Sequence, residues 1–242
     1  MYLAYKTDIG MVRNENQDSV RADFIDENIS VLIVCDGMGG AKSGEVASDV
    51  AVTTIFNRIM SGFRADADSN SIRNLMLSAV HAANTIVYEK SKEDIDKNGM
   101  GTTCVAVLVK DKHCYIVNVG DSRAYLLDDS GINQITTDHT YVQALYEQGV
   151  ITEEEKKTHS MKNVITRALG VEDDVEVDYF EIEPTGNFTI LLCSDGLSNY
   201  CSDEMLYEYV FGKNIHEATQ KLVDYANEQG GSDNITVALV AN

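Results

Sequence analysis

The chain has 242 residues, of which 44% are hydrophobic and 24% are charged, a balance that is ordinary for a packed protein with one large core. Its 39 Asp and Glu outnumber its 19 Lys and Arg, and the formal net charge is -20. A field of this sign repels nucleic acids and anionic membrane surfaces, so composition excludes partners of both kinds.

Runs of β-branched residues bounded by Gly, Asp or Asn predict a series of short strands. In chain order these cover residues 3–7, 19–24, 29–35, 103–109, 113–119, 124–127, 175–182, 188–193 and 235–240. Short polar turns, rather than a helix each time, separate many of them, which indicates antiparallel sheets with helices packed outside. The predicted class is therefore a layered α+β protein.

Apolar residues at spacings of three and four predict three amphipathic helices, around residues 46–59, 72–87 and 215–228. The segment 139–163 is polar, charged and helix-prone, and its Thr152 and Glu155 are spaced as in a capping box. Two interpretations of this segment remain open. It is either a solvated helical connection or a mobile flap that borders a functional site.

The organisation of the chain is simple. It has one proline, no internal repeat and no low-complexity tract, so we expect a single domain over residues 1–242 and a monomer. Neither a signal peptide nor an apolar run of roughly 18 residues is present, which predicts a cytoplasmic protein without membrane insertion. The five cysteines form no C-x-x-C pair and are expected to be reduced core residues.

Aspartates stand next to the ends of several predicted strands. Asp36, Asp121 and Asp195 each follow an apolar run, and Asp233 comes just before the last strand. One such residue alone is usually only part of a turn. Several at the ends of strands in one sheet would repel each other unless a cation neutralised them, and oxygen ligands suit Mg²⁺ or Mn²⁺. The pattern therefore predicts a divalent-cation site.

Competing hydrolytic chemistry finds no support in the sequence. A cysteine-dependent phosphatase needs an Arg six residues after its Cys, and none of the five cysteines has one there. The five histidines lack metal-ligand spacing, which disfavours zinc. We expect surface or capping roles for all five, including His139 and His159.

Short motifs recur in a fixed order along nearly the whole chain. They are Gly10-x-x-Arg13-x-x-Asn16-Gln17-Asp18, Asp36-Gly-Met-Gly-Gly40, Ser43-Gly-Glu-Val-Ala-Ser48, Gly101-Thr-Thr103, Asn118-Val-Gly-Asp-Ser-Arg-Ala-Tyr125, Asp138-His139, Ile165-Thr-Arg-Ala-Leu-Gly170, Ser194-Asp-Gly-Leu197 and Ser232-Asp-Asn-Ile-Thr236. Together they resemble the metal-dependent serine/threonine protein phosphatases of type 2C, the PPM class, in their compact bacterial form.

The resemblance implies a four-layer α-β-β-α sandwich, with two antiparallel sheets packed face to face and helices on both outer sides. It implies a hydrolase that removes phosphate from phosphoserine and phosphothreonine with two Mn²⁺ or Mg²⁺ ions. A hydroxide bridging the two ions would attack phosphorus directly, without a phosphoenzyme. The implied partners are phosphorylated proteins in signalling, including a bacterial serine/threonine kinase and its substrates.

Residue roles follow from the same motifs. The resemblance implies that Asp36 bridges the two metals and that the backbone carbonyl of Gly37 binds the second. It implies that Asp195 and Asp233 are side-chain ligands of the first metal, and that Asp18 acts at the site mainly through ordered water.

Two further roles complete the implied site. Arg13 would hold the substrate phosphate, a task to which a planar guanidinium is better suited than Lys. A third, weaker ion is expected between Asp121 and Asp195, although Asp121 could instead only cap the turn at Ser122.

The chain departs from relatives at three positions. Met38 stands where animal members carry the His thought to protonate the leaving group, Ala41 stands where bacterial relatives often carry His, and Gln17 replaces an acidic residue of some relatives. The general acid is thus unassigned. Two alternative functions also stay open, a regulatory pseudophosphatase without turnover and a phosphatase of small metabolites.

Overall fold

Two antiparallel sheets form the centre of the computed structural model, which describes residues 1–39, 43–93 and 99–242. Gly40 and Ala41, which enter the motifs above, lie outside the described residues. The first sheet has the strand order β1 (Tyr2–Asp8), β11 (Ile235–Ala241), β10 (Phe188–Cys193), β7 (Arg123–Asp128) and β8 (Gly131–Gln134).

The second sheet holds the remaining strands of the described chain. Its order is β2 (Asp18–Asp26), β3 (Ile29–Met38), β5 (Cys104–Lys110), β6 (His113–Val119) and β9 (Asp178–Ile182), with β4 (Gly101–Thr102) paired to the end of β3. Every pairing in both sheets is antiparallel.

Helices cover the outer face of each sheet. α1 (Ser43–Gly62) and α2 (Ser69–Glu93) pack on the second sheet, and α6 (Asp203–Val210) and α7 (Ile215–Glu228) pack on the first. Shorter helices are α3 (Tyr141–Glu147), α4 (Glu153–Thr158) and α5 (Asp195–Ser198).

Successive side chains along a strand point to opposite faces of the sheet, so the protein has separate hydrophobic cores on the two faces. In β3, Val31 and Ile33 face the helices, whereas Leu32 and Val34 face the opposite sheet. All four side chains are fully buried, because a strand with layers on both sides exposes neither face to water. Full burial of one such side chain stabilises a fold by about 1.5–3 kcal/mol. The buried side chains on the two faces of β3 therefore hold the helix layer and the two sheets together.

The predicted four-layer α+β sandwich is confirmed, and so are the three long helices. Two strands (β4 and β8) and two helices (α5 and α6) were not predicted. The last strand of the second sheet begins at Asp178 rather than at Val175, whose side chain is nevertheless buried. All five cysteines are free and buried, as expected. No helix of the described chain has the length and apolarity to cross a membrane.

Candidate metal centre

The second sheet contributes two facing carboxylates. Asp18 begins β2 and lies directly opposite Asp36 of β3 in the antiparallel register. Side chains at such a cross-strand pair share one face of the sheet, about 5 Å apart at Cβ. Asp18 is buried, and Ser194 from the other sheet donates a hydrogen bond to its Oδ2 at 2.7 Å. This bond joins the two sheets at the site.

The first sheet brings two more carboxylates to the same place. Asp195 follows β10 and is the first residue of α5, and Asp233 precedes β11, the neighbour of β10. Backbone bonds hold these ends together, since Ser194 N donates to Thr236 O at 3.1 Å. Asp195 lies close enough to Asp36 for its charge to raise the pKa of Asp36, after the larger effect of burial. Neighbouring strand ends therefore assemble the predicted cluster from distant parts of the sequence.

Asp121 reaches the cluster from the end of β6. It is buried in the turn that joins β6 to β7, and its neighbour Ser122 shares a hydrogen bond of 2.7 Å with Thr103 Oγ1. The same Thr103 oxygen accepts from Asp36 N at 2.9 Å. A single side chain thus ties the Asp121 turn to the backbone of Asp36.

The loop that carries Arg13 is fastened to the cluster. Arg13 Nη2 donates to Asp233 Oδ2 at 2.7 Å. Asn234 fixes the loop on both sides, because its Oδ1 accepts from Gln17 N at 2.8 Å and its Nδ2 donates to Ile9 O at 2.9 Å. The guanidinium therefore stands at the rim of the cluster, with its side chain 51% exposed.

Two glycines allow the backbone to come close enough for this assembly. A Cβ at Gly37 would stand 2.1 Å from Gly44 O, and one at Gly196 would stand 1.9 Å from Asn234 O. The amide of Gly37 also donates to Gln17 O at 3.0 Å. Gln17 thus supports Gly37 through its backbone, whatever its side chain contributes.

Burial, and then repulsion between neighbouring carboxylates, raises the pKa values of the clustered aspartates. Burial raises the pKa of Asp18 to about 6, against the lowering effect of the bond from Ser194. Burial, followed by the charge of Asp195, raises the pKa of Asp121 to about 7. Burial and the surrounding aspartates also raise the pKa values of Asp36 and Asp195. An added positive charge would relieve this repulsion.

The donor set fits a hard divalent cation. Among the described residues, no three Asp, Glu, His or Cys side chains are arranged so that they could hold a metal ion as they stand. Three buried carboxylate oxygens nevertheless lack any hydrogen-bond partner, namely Oδ1 of Asp18, Asp121 and Asp195. Unpartnered buried oxygens are costly, and a cation that prefers oxygen ligands satisfies them.

Of the two roles expected for His139, surface or capping, the surface role was wrong. This residue is buried at 8% exposure rather than lying at the surface. Its Nδ1 accepts from Gly120 N at 2.9 Å, next to Asp121. The only signal in the sequence was the motif Asp138-His139, which carries no spacing that suggests a metal ligand. By contrast, His159 is partly exposed and accepts a local bond from Met161 N, as expected for a capping role.

The segment 139–163 contains α3 and α4 and the predicted capping box. Thr152 Oγ1 accepts from Glu155 N at 3.3 Å, and Glu155 Oε2 accepts from Thr152 N at 2.8 Å. A cleft of about 510 Å³ separates this segment from α5 and α6. Asn199 lines the cleft and also donates to Asp195 Oδ2 at 3.1 Å, so the cleft opens beside the cluster.

Comparison with known families decides the assignment. The family model described as protein phosphatase 2C matches residues 12–239. The chain belongs to the protein phosphatase 2C family. A curated relative in Listeria monocytogenes, named serine/threonine phosphatase stp, is 37% identical over 99% of this chain and 95% of its own length.

Solved protein phosphatase 2C structures agree with the fold. Serine/threonine phosphatase Stp1 from Staphylococcus aureus matches with a TM-score of 0.92 and 34% identity, over 99% of this chain and 94% of that one. The catalytic domain of PstP, solved in complex with 2 manganese ions, matches with a TM-score of 0.86 and 35% identity, over 100% and 97%. This protein phosphatase 2C therefore has the scaffold of a dinuclear metal enzyme.

Proposed function

We propose that this protein phosphatase 2C hydrolyses phosphoserine and phosphothreonine on proteins at the cluster formed by Asp36, Asp195 and Asp233. The observation that carries the proposal is the convergence of buried and partly buried aspartates from both sheets beside Arg13, with unpartnered oxygens on three of them. The names of the relatives support the substrate class. Carboxylates for cations next to a guanidinium for phosphate are the parts that phosphate-ester hydrolysis needs.

Metal ligation is assigned to four residues. Asp36 would bridge two cations, with the carbonyl of Gly37 on the second and with Asp195 and Asp233 on the first. Asp18 would act through ordered water, held by its bond from Ser194. Two bound cations supply Lewis-acid activation of water at neutral pH and neutralise charge on the phosphate.

Arg13 has the substrate-binding role in this proposal. Its guanidinium donates to Asp233 in the structure, and a cation on Asp233 would compete for that carboxylate. The freed donors could then hold two phosphate oxygens at once, in the fork geometry that Lys lacks. This contact orients the ester for attack on phosphorus and offsets charge that builds up on its oxygens.

A third, weaker ion between Asp121 and Asp195 is also proposed. Both residues have a buried Oδ1 without a partner, and the charge of Asp195 is among the causes that raise the pKa of Asp121. A cation shared by the two carboxylates would satisfy both oxygens. Capping of the Ser122 turn alone would leave them unsatisfied.

The partners are proposed to be phosphorylated proteins, including a serine/threonine kinase and its substrates. The segment 139–163 would act as a flap for such substrates, because the cleft beneath it opens next to Asp195.

The proposal also includes the oligomeric state and the compartment of the protein, which are a monomer and the cytoplasm. Five buried cysteines without a disulfide support a reducing compartment.

One assay tests the function. Metal-stripped protein should release no phosphate from a phosphoserine peptide, and Mn²⁺ or Mg²⁺ should restore release. Asp36→Ala and Asp195→Ala should be nearly inactive, whereas Asp66→Ala, at an exposed aspartate in the connection between α1 and α2, should match wild type.

The outcomes separate the competing functions. Full activity in a chelator would contradict the metal mechanism. Mn²⁺ binding without turnover on any ester would indicate a regulatory pseudophosphatase. Faster hydrolysis of sugar phosphates than of phosphopeptides would indicate a metabolite phosphatase.

A further inference from the structure

The turn that carries Asp121 is held in an unusual backbone conformation. Gly120 has a φ of +104°, and a Cβ at this position would stand 2.6 Å from Thr103 Cγ2. Only glycine adopts this conformation readily, so the turn gains little stability from its own residues. The buried amide and carbonyl of Gly120 need partners from elsewhere, because an unpaired buried backbone group is costly.

His139 supplies a partner for both groups. Its Nδ1 accepts from Gly120 N at 2.9 Å, and its own backbone N–H donates to Gly120 O at 3.0 Å. Asn118 Nδ2 adds a longer bond of 3.3 Å to the same carbonyl. The two peptide units that flank the Cα of Gly120 are therefore both held by His139.

These contacts fix the protonation of the imidazole ring. The Gly120 amide is a donor, so Nδ1 must be unprotonated, and a neutral ring then carries its proton on Nε2. Asp178 Oδ2 lies 3.2 Å from Nε2 and accepts a hydrogen bond from it. Arg167 Nη1 lies 2.9 Å from Nε2 but donates to Asp178 Oδ1 at 2.7 Å, which leaves Asp178 as the acceptor for the ring.

The surroundings keep the ring neutral. Burial lowers the pKa of His139, and the charge of Arg167 lowers it further, against the raising effects of Asp178 and Asp138. A doubly protonated ring would direct a proton at the Gly120 amide and break the clamp. The neutral ring with its proton on Nε2 therefore matches its contacts with Gly120 and Asp178.

We propose that His139 is a positioning residue that aims the Asp121 carboxylate at the metal cluster by clamping Gly120. Asp178 holds the ring in the required tautomer, and Arg167 in turn donates to Asp178. The inference rests on the proposed metal role of Asp121. His139 would then act through the backbone of Gly120. Residues that contact metal ligands without binding the metal orient those ligands in a similar way.

Two variants and one matched control test the clamp. His139→Ala removes the acceptor for Gly120 N, whereas His139→Asn places an amide oxygen near the position of Nδ1 and keeps an acceptor. His159→Ala is the control, because His159 Nδ1 also accepts a backbone N–H, that of Met161 at 3.1 Å, but does so within its own turn and not at Gly120.

The first measurement is Mn²⁺ binding by calorimetry, which does not depend on turnover. His139→Ala should weaken the weakest binding step by about 10-fold or more, the range seen for outer residues of metal sites. His139→Asn should recover most of that loss, and His159→Ala should bind as wild type does. Unchanged Mn²⁺ binding in His139→Ala, with only a lower melting temperature, would overturn the proposal.

The second measurement is the imidazole nitrogen spectrum of wild-type protein, which needs no variant to fold. It should show Nδ1 unprotonated and Nε2 protonated for His139 near neutral pH. The opposite tautomer would overturn the proposal even if His139→Ala fails to fold. Both measurements remain informative if the wild type proves inactive on phosphopeptides, so failure of this inference and failure of the proposed function are distinguishable.

Discussion

Arg13 and Asp233 illustrate how much the role of one residue depends on its neighbours. The motif in the sequence suggested separate tasks for them, phosphate binding and metal ligation, whereas the structure shows a direct ion pair of 2.7 Å. The ion pair is compatible with both tasks. A cation bound to Asp233 and a phosphate bound to Arg13 would together replace the single contact between the two side chains.

Substitution of Arg13 should therefore affect substrate more than metal. Arg13→Ala should lower kcat/KM for a phosphopeptide by about 10- to 100-fold, the equivalent of one charge-assisted contact of about 1.5–3 kcal/mol. Arg13→Lys should recover only part, since it cannot form two parallel bonds. Steady-state kinetics beside Mn²⁺ binding would check this, with exposed Arg58→Ala as control. Equal losses in metal binding and in catalysis would contradict the assignment.

Gly196 offers a test of the close backbone contact beside Asp195. Gly196→Ala should destabilise the protein by about 1–3 kcal/mol, as overpacking does, because its Cβ would meet Asn234 O at 1.9 Å. Gly62→Ala is the matched control. There the new Cβ meets only Cδ1 of Leu75, the end of a flexible side chain, so denaturant unfolding should show little loss. Similar unfolding midpoints for the two variants would contradict the contact.

At the scale of elements, the sequence predicted the strands and helices that a local pattern of apolar residues determines. Strands such as β3 and β10 are continuous β-branched or apolar runs, and α7 shows a clear apolar stripe. β8 and α5 have only four residues each, too few for a period to emerge. The burial of His139 depends on Gly120, a tertiary contact that no local pattern records.

The flap assignment makes a prediction at the same scale. Shortening the connection between α3 and α4 around Gly149 should raise KM for a phosphopeptide and leave p-nitrophenyl phosphate kinetics almost unchanged. The reason is that only an extended substrate would reach the cleft between this segment and α6. Steady-state kinetics on both substrates would test it. An equal loss on both would mean that the segment serves only the fold.

For the whole molecule, the acidic cluster is a source of instability when metal is absent. Burial in the folded state raises the pKa of Asp18 to about 6 and that of Asp121 to about 7, well above the ordinary range of an aspartate. Between about pH 4 and 7 the folded state thus binds more protons than the unfolded state, so its stability falls as pH rises through this window. Metal-free protein should melt at a higher temperature at pH 5.5 than at pH 7.5.

Calorimetric melting in a chelator would check this trend, and Asp121→Asn should reduce it because that variant removes one shifted group. Saturating Mn²⁺ should raise the melting temperature most at the higher pH, since ligands must lose their protons to bind. If the melting temperature of the metal-free protein does not change with pH, that result would contradict the raised pKa values described for the cluster.

The central claim is that strand ends from both sheets build one dinuclear site. The most direct test is anomalous diffraction at the manganese edge from crystals grown with Mn²⁺. The account predicts two strong peaks bridged by Asp36, with Asp195 and Asp233 on one of them and the carbonyl of Gly37 on the other. Manganese bound elsewhere, or no peak between these residues in crystals of active protein, would contradict it.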